Sequence, residues 1–124
     1  MQDLPNAHGL PWTSYEKLPS YVQACEVGFM PYNCDGRQLH ANPLKLWEYF
    51  ALGKPVVATP MIHLWEYEDV IYRGHSTEEL EKAIILALAE PADSPKRQRR
   101  MEIAREHSIE KLAEVLRKAL PLGE

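Results

Sequence analysis

Apolar and polar positions divide the chain into short alternating segments. Leu18, Tyr21, Val22 and Cys25 share one face at helical spacing and predict a helix over Leu18–Cys25. Val27–Tyr32, VGFMPY, is a compact apolar run stopped by Pro31, the pattern of a buried strand. Asn33–Ala41 is polar, with Asp35–Gly36 as a turn signal, and predicts a loop. The most informative stretch is Asn42–Thr59, NPLKLWEYFALGKPVVAT. Asn42 suits a helix N-cap and Pro43 the first helical position, where a missing N–H is harmless. Leu44–Leu52 are helix formers, with Leu44, Trp47 and Ala51 spaced for a core face and Leu46 and Phe50 beside them. Gly53 stands where a left-handed residue ends a helix, and Pro55 blocks continuation. Val56–Ala58 then predict a strand covered on both faces.

The second half begins with PMIHLWEYED, whose mixed signals suggest a packed connector or one helical turn. Asp69–Tyr72 predicts a short strand. Ser76 and Glu79 form a capping box for a helix over Thr77–Glu90, with Leu80, Ala83, Ile84, Ala87 and Leu88 on one face. After the turn PADSP, Lys96–His107 predicts a helix with Met101, Ile103 and Ala104 as its apolar content. Its basic opening, KRQRR, reads as a solvated face. Ser108 caps a last helix, Ile109–Leu120, with Ile109, Leu112, Ala113, Leu116, Ala119 and Leu120 apolar. Strands separated by helices predict an α/β fold with a short, mostly parallel sheet and right-handed crossovers.

Composition narrows the function classes. The 124 residues suffice for one domain over 1–124 with a core, and 45% hydrophobic and 26% charged residues are typical of a globular protein. A net charge of −4 argues against a nucleic-acid binder. No apolar run approaches the roughly 20 residues of a membrane span, and the first residues do not read as a signal peptide. A cytoplasmic location is expected, with the two cysteines, Cys25 and Cys34, reduced. The five histidines form no set with metal-ligand spacing, so no metal is expected.

The chemistry concentrates on the Asn42 helix. Lys45 and Glu48 are three apart and neighbours on one side. A helix start attracts anions, and Glu48 lies roughly 9 Å along from Asn42 at about 1.5 Å per residue. That is the separation of the terminal phosphate and the ribose hydroxyls in a nucleoside diphosphate. A Lys45–Glu48 surface pair is the plain alternative. Arg37, the one fixed positive charge of the preceding loop, is either a phosphate contact or a solvated side chain. Trp12 either stacks on a base or packs at a core edge.

The segment P-x-K-x-x-E-Y-x-A-x-G-K-P-V-V-A-T, Pro43 to Thr59, resembles the donor-site helix and following strand of two-Rossmann (GT-B) glycosyltransferases. More narrowly, it resembles the C-terminal domain of the "glycosyl transferases group 1" superfamily of bacterial polysaccharide assembly. Leu18–Tyr32 is similar to that family's L-P-x-Y-x-x-x-x-D-V-x-x-x-P-Y, with Glu26 at the Asp position. Asn6–His8 and Tyr15–Pro19 match an earlier strand and turn.

The resemblance implies a partial Rossmann-like, three-layer domain, the C-terminal part of a GT-B donor domain. It would have about four strands, near Asn6–His8, Val27–Tyr32, Val56–Thr59 and Val70–Tyr72. Glu48 would bind the ribose of a nucleotide sugar, UDP- or GDP-linked, with no further cofactor. Asn42, Pro43, Leu44 and Lys45 would hold the diphosphate. His40 stands where the family often has a first glutamate, and the catalytic residue is not identified. The acceptor domain and about two leading strands are absent from the sequence. The expected role is therefore one part of a glycosyltransferase, inactive alone and peripheral to the inner membrane in a full-length context. An epimerase on the same scaffold and a non-catalytic interaction module are the alternatives. Expected partners are a missing N-terminal acceptor half and a second copy of the chain, joined through an open sheet edge or a helix. Trp12, Trp47 and Trp65 are candidates for such exposed surface.

Overall fold

The computed structural model describes residues 4–34 and 44–120. In chain order these form α1 (Leu18–Ala24), β1 (Gly28–Met30), α2 (Lys45–Ala51), β2 (Val56–Ala58), a 3-10 segment (Ile62–Tyr67) and β3 (Tyr72–Arg73). Three helices follow: α3 (Thr77–Leu88), α4 (Pro95–Glu106) and α5 (Ile109–Ala119). The strands make one three-stranded parallel sheet in the order β1-β2-β3. Gly28 stands opposite Val56, Met30 opposite Ala58, and Val57 opposite Tyr72.

The central strand β2 explains the layering. Its three residues are fully buried. Val56 and Ala58 join one cluster with Leu46, Phe50, Met61, Leu64 and Ile103, while Val57 packs on the other side with Ala83 and Ala87. Alternate side chains point to opposite faces, so an unbroken apolar run means helices on both. The result is a helix–sheet–helix arrangement, a partial Rossmann-like α/β fold.

Local signals account for most boundaries. Gly53 adopts φ 67° and ends α2, as its left-handed position requires. The Ser76 hydroxyl accepts from the Glu79 N–H at 3.2 Å, while the Glu79 carboxylate accepts from the His75 N–H at 2.6 Å. The Ser94 hydroxyl accepts from the Lys96 N–H to cap α4, which has Pro95 at its first position, and the Ser108 hydroxyl accepts from the Lys111 N–H to cap α5.

Four expectations need correction. Asn6–His8 is not a strand: the Ala7 N–H bonds to the Leu4 carbonyl in a turn, and Leu10 and Trp12 are exposed. Flanking prolines remove ladder donors, and the side chains meet no layer to pack on. The third strand forms at Tyr72–Arg73, just after Val70 and Ile71, which are buried in the core without joining the ladder. On α2 the core face is Leu46 and Phe50; Leu44 is 75% exposed. On α3, Leu88 is exposed because the sheet contact runs through Ala83 and Ala87.

The largest surprise is in the basic cluster. Arg100, expected on a solvated face, is 0% exposed. One guanidinium nitrogen donates to the Val70 carbonyl at 3.0 Å and to Glu90 Oε1 at 2.9 Å. The other donates to the Gly53 carbonyl at 3.1 Å and to Glu90 Oε2. Tyr72 donates its hydroxyl to Glu90 Oε1 at 2.9 Å. The single pair thereby ties α4 to the end of α3, the approach to β3 and the α2–β2 turn. Burial pushes the Tyr72 phenol up to about 12, and its hydrogen bond to Glu90 adds to the rise. Burial alone would raise the Glu90 carboxyl. Hydrogen bonds from Arg100 and Tyr72, with the charges of Arg100 and Lys96, hold it below the usual range instead.

Removing one partner strands a buried charge. Arg100→Ala should lower unfolding stability by about 3–5 kcal/mol in urea titration. Because the folded Glu90 pKa is depressed, its contribution is complete above the unfolded carboxylate value of about 4.3 and fades as pH falls below it. Between about pH 5 and 3 the wild-type urea midpoint should therefore drop further than that of Glu90→Gln. Equal drops would show that Glu90 is not the titrating anchor.

Candidate functional site

The candidate site is built around α2, a helix of seven residues held on several sides. Leu46 and Phe50, 1% and 0% exposed, seat it in the core. The Trp47 ring stacks on His107 at 4.2 Å between centroids and 14° between planes. It also meets Phe50 and Tyr67 edge-on. Tyr49 lies against Gly28, where an added Cβ would sit 2.7 Å from the ring. Burial raises the Tyr49 phenol, and the nearby Cys25, Glu48 and Tyr32 add to the rise.

With those faces occupied, Glu48 turns toward α1. It lines a cavity of 260 Å³ with Tyr15, Leu18, Pro19, Val22, Ala51 and Leu52. Among the described residues Glu48 is the one charged residue of that lining. Its carboxylate makes no ion pair or hydrogen bond among the described residues. The cavity is slightly smaller than the ~300–1,000 Å³ of small-molecule sites and mainly apolar, with Glu48 and Tyr15 as its polar residues.

Lys45 faces a different concavity. It is exposed and lines a groove of 290 Å³ with Phe29, Met30, Pro31 and Tyr32, at the C-terminal end of β1. No Lys45–Glu48 ion pair forms, so the surface-pair reading does not hold. Ligands of open parallel sheets bind beyond the carboxyl ends of the strands, which is where this groove lies. There the Thr59 hydroxyl donates to the Tyr32 carbonyl at 2.7 Å, joining the ends of β1 and β2. Leu44 occupies the cap position of α2 and makes no side-chain cap bond. Arg37, His40, Asn42 and Pro43 lie outside the described residues.

Comparison with known proteins gives one partial relationship. The chain is 36% identical over 61 residues to "Putative teichuronic acid biosynthesis glycosyltransferase TuaH" of Bacillus subtilis (strain 168). Over that stretch the chain is glycosyltransferase-like. The match covers 47% of this chain and 15% of the relative's length. No family model and no solved structure matches the chain.

Within this glycosyltransferase-like chain, sequence spacing singled out Glu48 and Lys45 but not their surroundings. Tyr15, Leu18 and Pro19 read as a turn and helix start, and only the docking of α1 beside α2 brings them to Glu48. A second groove, of 370 Å³, at the end of β3 brings Pro60, Arg73, Gly74, His75 and Glu79 together. No local signal in the sequence marked it. Arg73 is already paired with Glu68. Trp12, at 91% exposed, lines neither cavity and is not a core edge. Trp65 is also exposed, at 58%. Among the described residues no cluster of His, Cys, Asp or Glu could hold a metal ion, and no helix is long and apolar enough to cross a membrane.

The closeness of Gly28 and Tyr49 gives a direct test of how α2 is seated. Gly28→Ala should push the ring outward and cost about 1–3 kcal/mol, read as a lowered thermal midpoint. Adding Tyr49→Ala should relieve the clash, so the double variant should lose less than the two single losses combined. Strict additivity would rule out the contact.

Proposed function

We propose that the chain forms part of the donor site of a glycosyltransferase that uses a nucleotide sugar in polysaccharide or glycoconjugate synthesis. One observation carries this reading: Glu48, a carboxylate without a partner among the described residues, is the single charge they place in an apolar cavity beside α1 and α2. A carboxylate there can accept two hydrogen bonds from the vicinal hydroxyls of a ribose, and the apolar walls suit a base. Lys45, one turn earlier at the strand end, would face the diphosphate as a point charge. The partial likeness to a glycosyltransferase supports the same class. Sugar transfer also needs an acceptor hydroxyl positioned at the anomeric carbon, so the described sheet would supply one wall of the site.

Calorimetry with UDP, GDP and ADP tests the proposal. Weak binding of one nucleoside diphosphate is expected, at least about tenfold weaker in Glu48→Gln, as for loss of a charged hydrogen bond. The 2′-deoxy form of the preferred nucleotide should bind less tightly to the wild type. In Glu48→Gln that difference should vanish. Binding that ignores both changes would remove Glu48 from the ribose. No binding at millimolar concentration would favour a non-catalytic module. The 124-residue chain alone should show no sugar transfer from a nucleotide sugar to a saccharide or lipid acceptor. Detected turnover would show that this chain carries a complete site.

A further inference from the structure

The strand-end groove that holds Lys45 has a second donor. Tyr32 lines it too, two residues beyond the end of β1. Its backbone is fixed on both sides. The Tyr32 N–H donates to the Met30 carbonyl at 3.0 Å, and the Tyr32 carbonyl accepts from the Thr59 hydroxyl at 2.7 Å. Its side chain is half-buried and packs on the core cluster that contains Met30, Leu46 and Phe50. Neither the Tyr32 phenol nor the Lys45 ammonium has a hydrogen-bond or ion-pair partner among the described residues. The rest of the described lining, Phe29, Met30 and Pro31, offers no polar side chain. Two donors with spare capacity, one charged and one neutral, thus share one groove at the carboxyl ends of the strands.

We infer that this groove takes the terminal phosphate of the nucleotide, and that Tyr32 binds it through the phenol O–H. The inference rests on the donor-site reading, which gives the ribose to Glu48. Glu48 and Lys45 line separate concavities, so the ligand end that meets Lys45 is the end remote from the ribose. A terminal phosphate carries about two charges near pH 7 and three acceptor oxygens. Lysine answers it as a point charge. The phenol adds a directed donor without adding charge, since a phosphate oxygen can only accept. Such a hydrogen bond strengthens as charge builds on a departing diphosphate. A tyrosine kept only for packing would lose nothing on becoming phenylalanine.

Tyr32→Phe removes one oxygen and leaves the ring and both backbone hydrogen bonds in place. Circular dichroism should show the fold unchanged. Calorimetry on the 124-residue chain then compares UDP with UMP, and GDP with GMP. Tyr32→Phe should weaken the diphosphate about tenfold and leave the monophosphate unchanged, as for loss of a hydrogen bond to a charged group. Lys45→Gln should show the same selectivity, whereas Glu48→Gln should weaken both nucleotides alike. Inorganic pyrophosphate is the probe without ribose. If it binds while no nucleotide does, and Tyr32→Phe weakens it, the ribose assignment falls and the phosphate groove stands. Three results overturn the proposal: diphosphate affinity that survives Tyr32→Phe, an equal loss for monophosphate and diphosphate, or no binding of nucleotide or pyrophosphate at millimolar concentration.

Discussion

The burial of Arg100 is the constraint on which the rest depends. A guanidinium with no access to water requires partners for its donors, and the chain supplies both terminal nitrogens from three separate places, leaving Nε without one among the described residues. Glu90 brings the end of α3, Val70 the approach to β3, and Gly53 the turn between α2 and β2. Its planar fork matches a carboxylate in two parallel hydrogen bonds, which a lysine at the same place would not reproduce. Such a pair adds little net stability over an apolar core of the same shape. Its effect here is geometric: only one arrangement of these elements satisfies it.

That arrangement reaches the candidate site. Gly53 lies just beyond the C-cap of α2, so Arg100 holds the chain at the C-terminal end of the helix that carries Lys45 and Glu48. Trp47, stacked on His107, holds the same helix from the end of α4. Tyr49 against Gly28 keeps it on β1. The two charged residues are left as the helix's outward groups, divided between the α1 cavity and the strand-end groove.

How much of this was legible follows from the range of each interaction. Helix ends were legible because their causes are local: a serine cap, a proline at the first turn, a glycine at positive φ. The Val56–Ala58 strand was legible because an unbroken apolar run has few other uses. Arg100 was not, because its partners lie 10, 30 and 47 residues away and KRQRR looks like any solvated basic turn. The cavity beside Glu48 was hidden for the same reason. The resemblance to glycosyltransferase donor domains picked Glu48 out of α2, while spacing alone left a surface pair open. It also implied a strand at Asn6–His8 that does not form among the described residues. Leu44, expected in the core, points outward because Leu46 and Phe50 take the sheet-facing side.

The reach of the Arg100 contacts also bears on the order of folding. A cation cannot enter an apolar interior before its counter-charge and carbonyl acceptors are in place. Docking of α4 therefore has to follow assembly of the sheet and the closing of long chain loops, which is slow by nature. Partly folded forms with α4 undocked leave Phe50, Val70 and Ile71 without part of their cover. The guanidinium thus acts as a gate against stable half-formed states, and it makes the transition more nearly all-or-none. Helix α5 stands outside that cooperative unit and is free to fray on its own timescale.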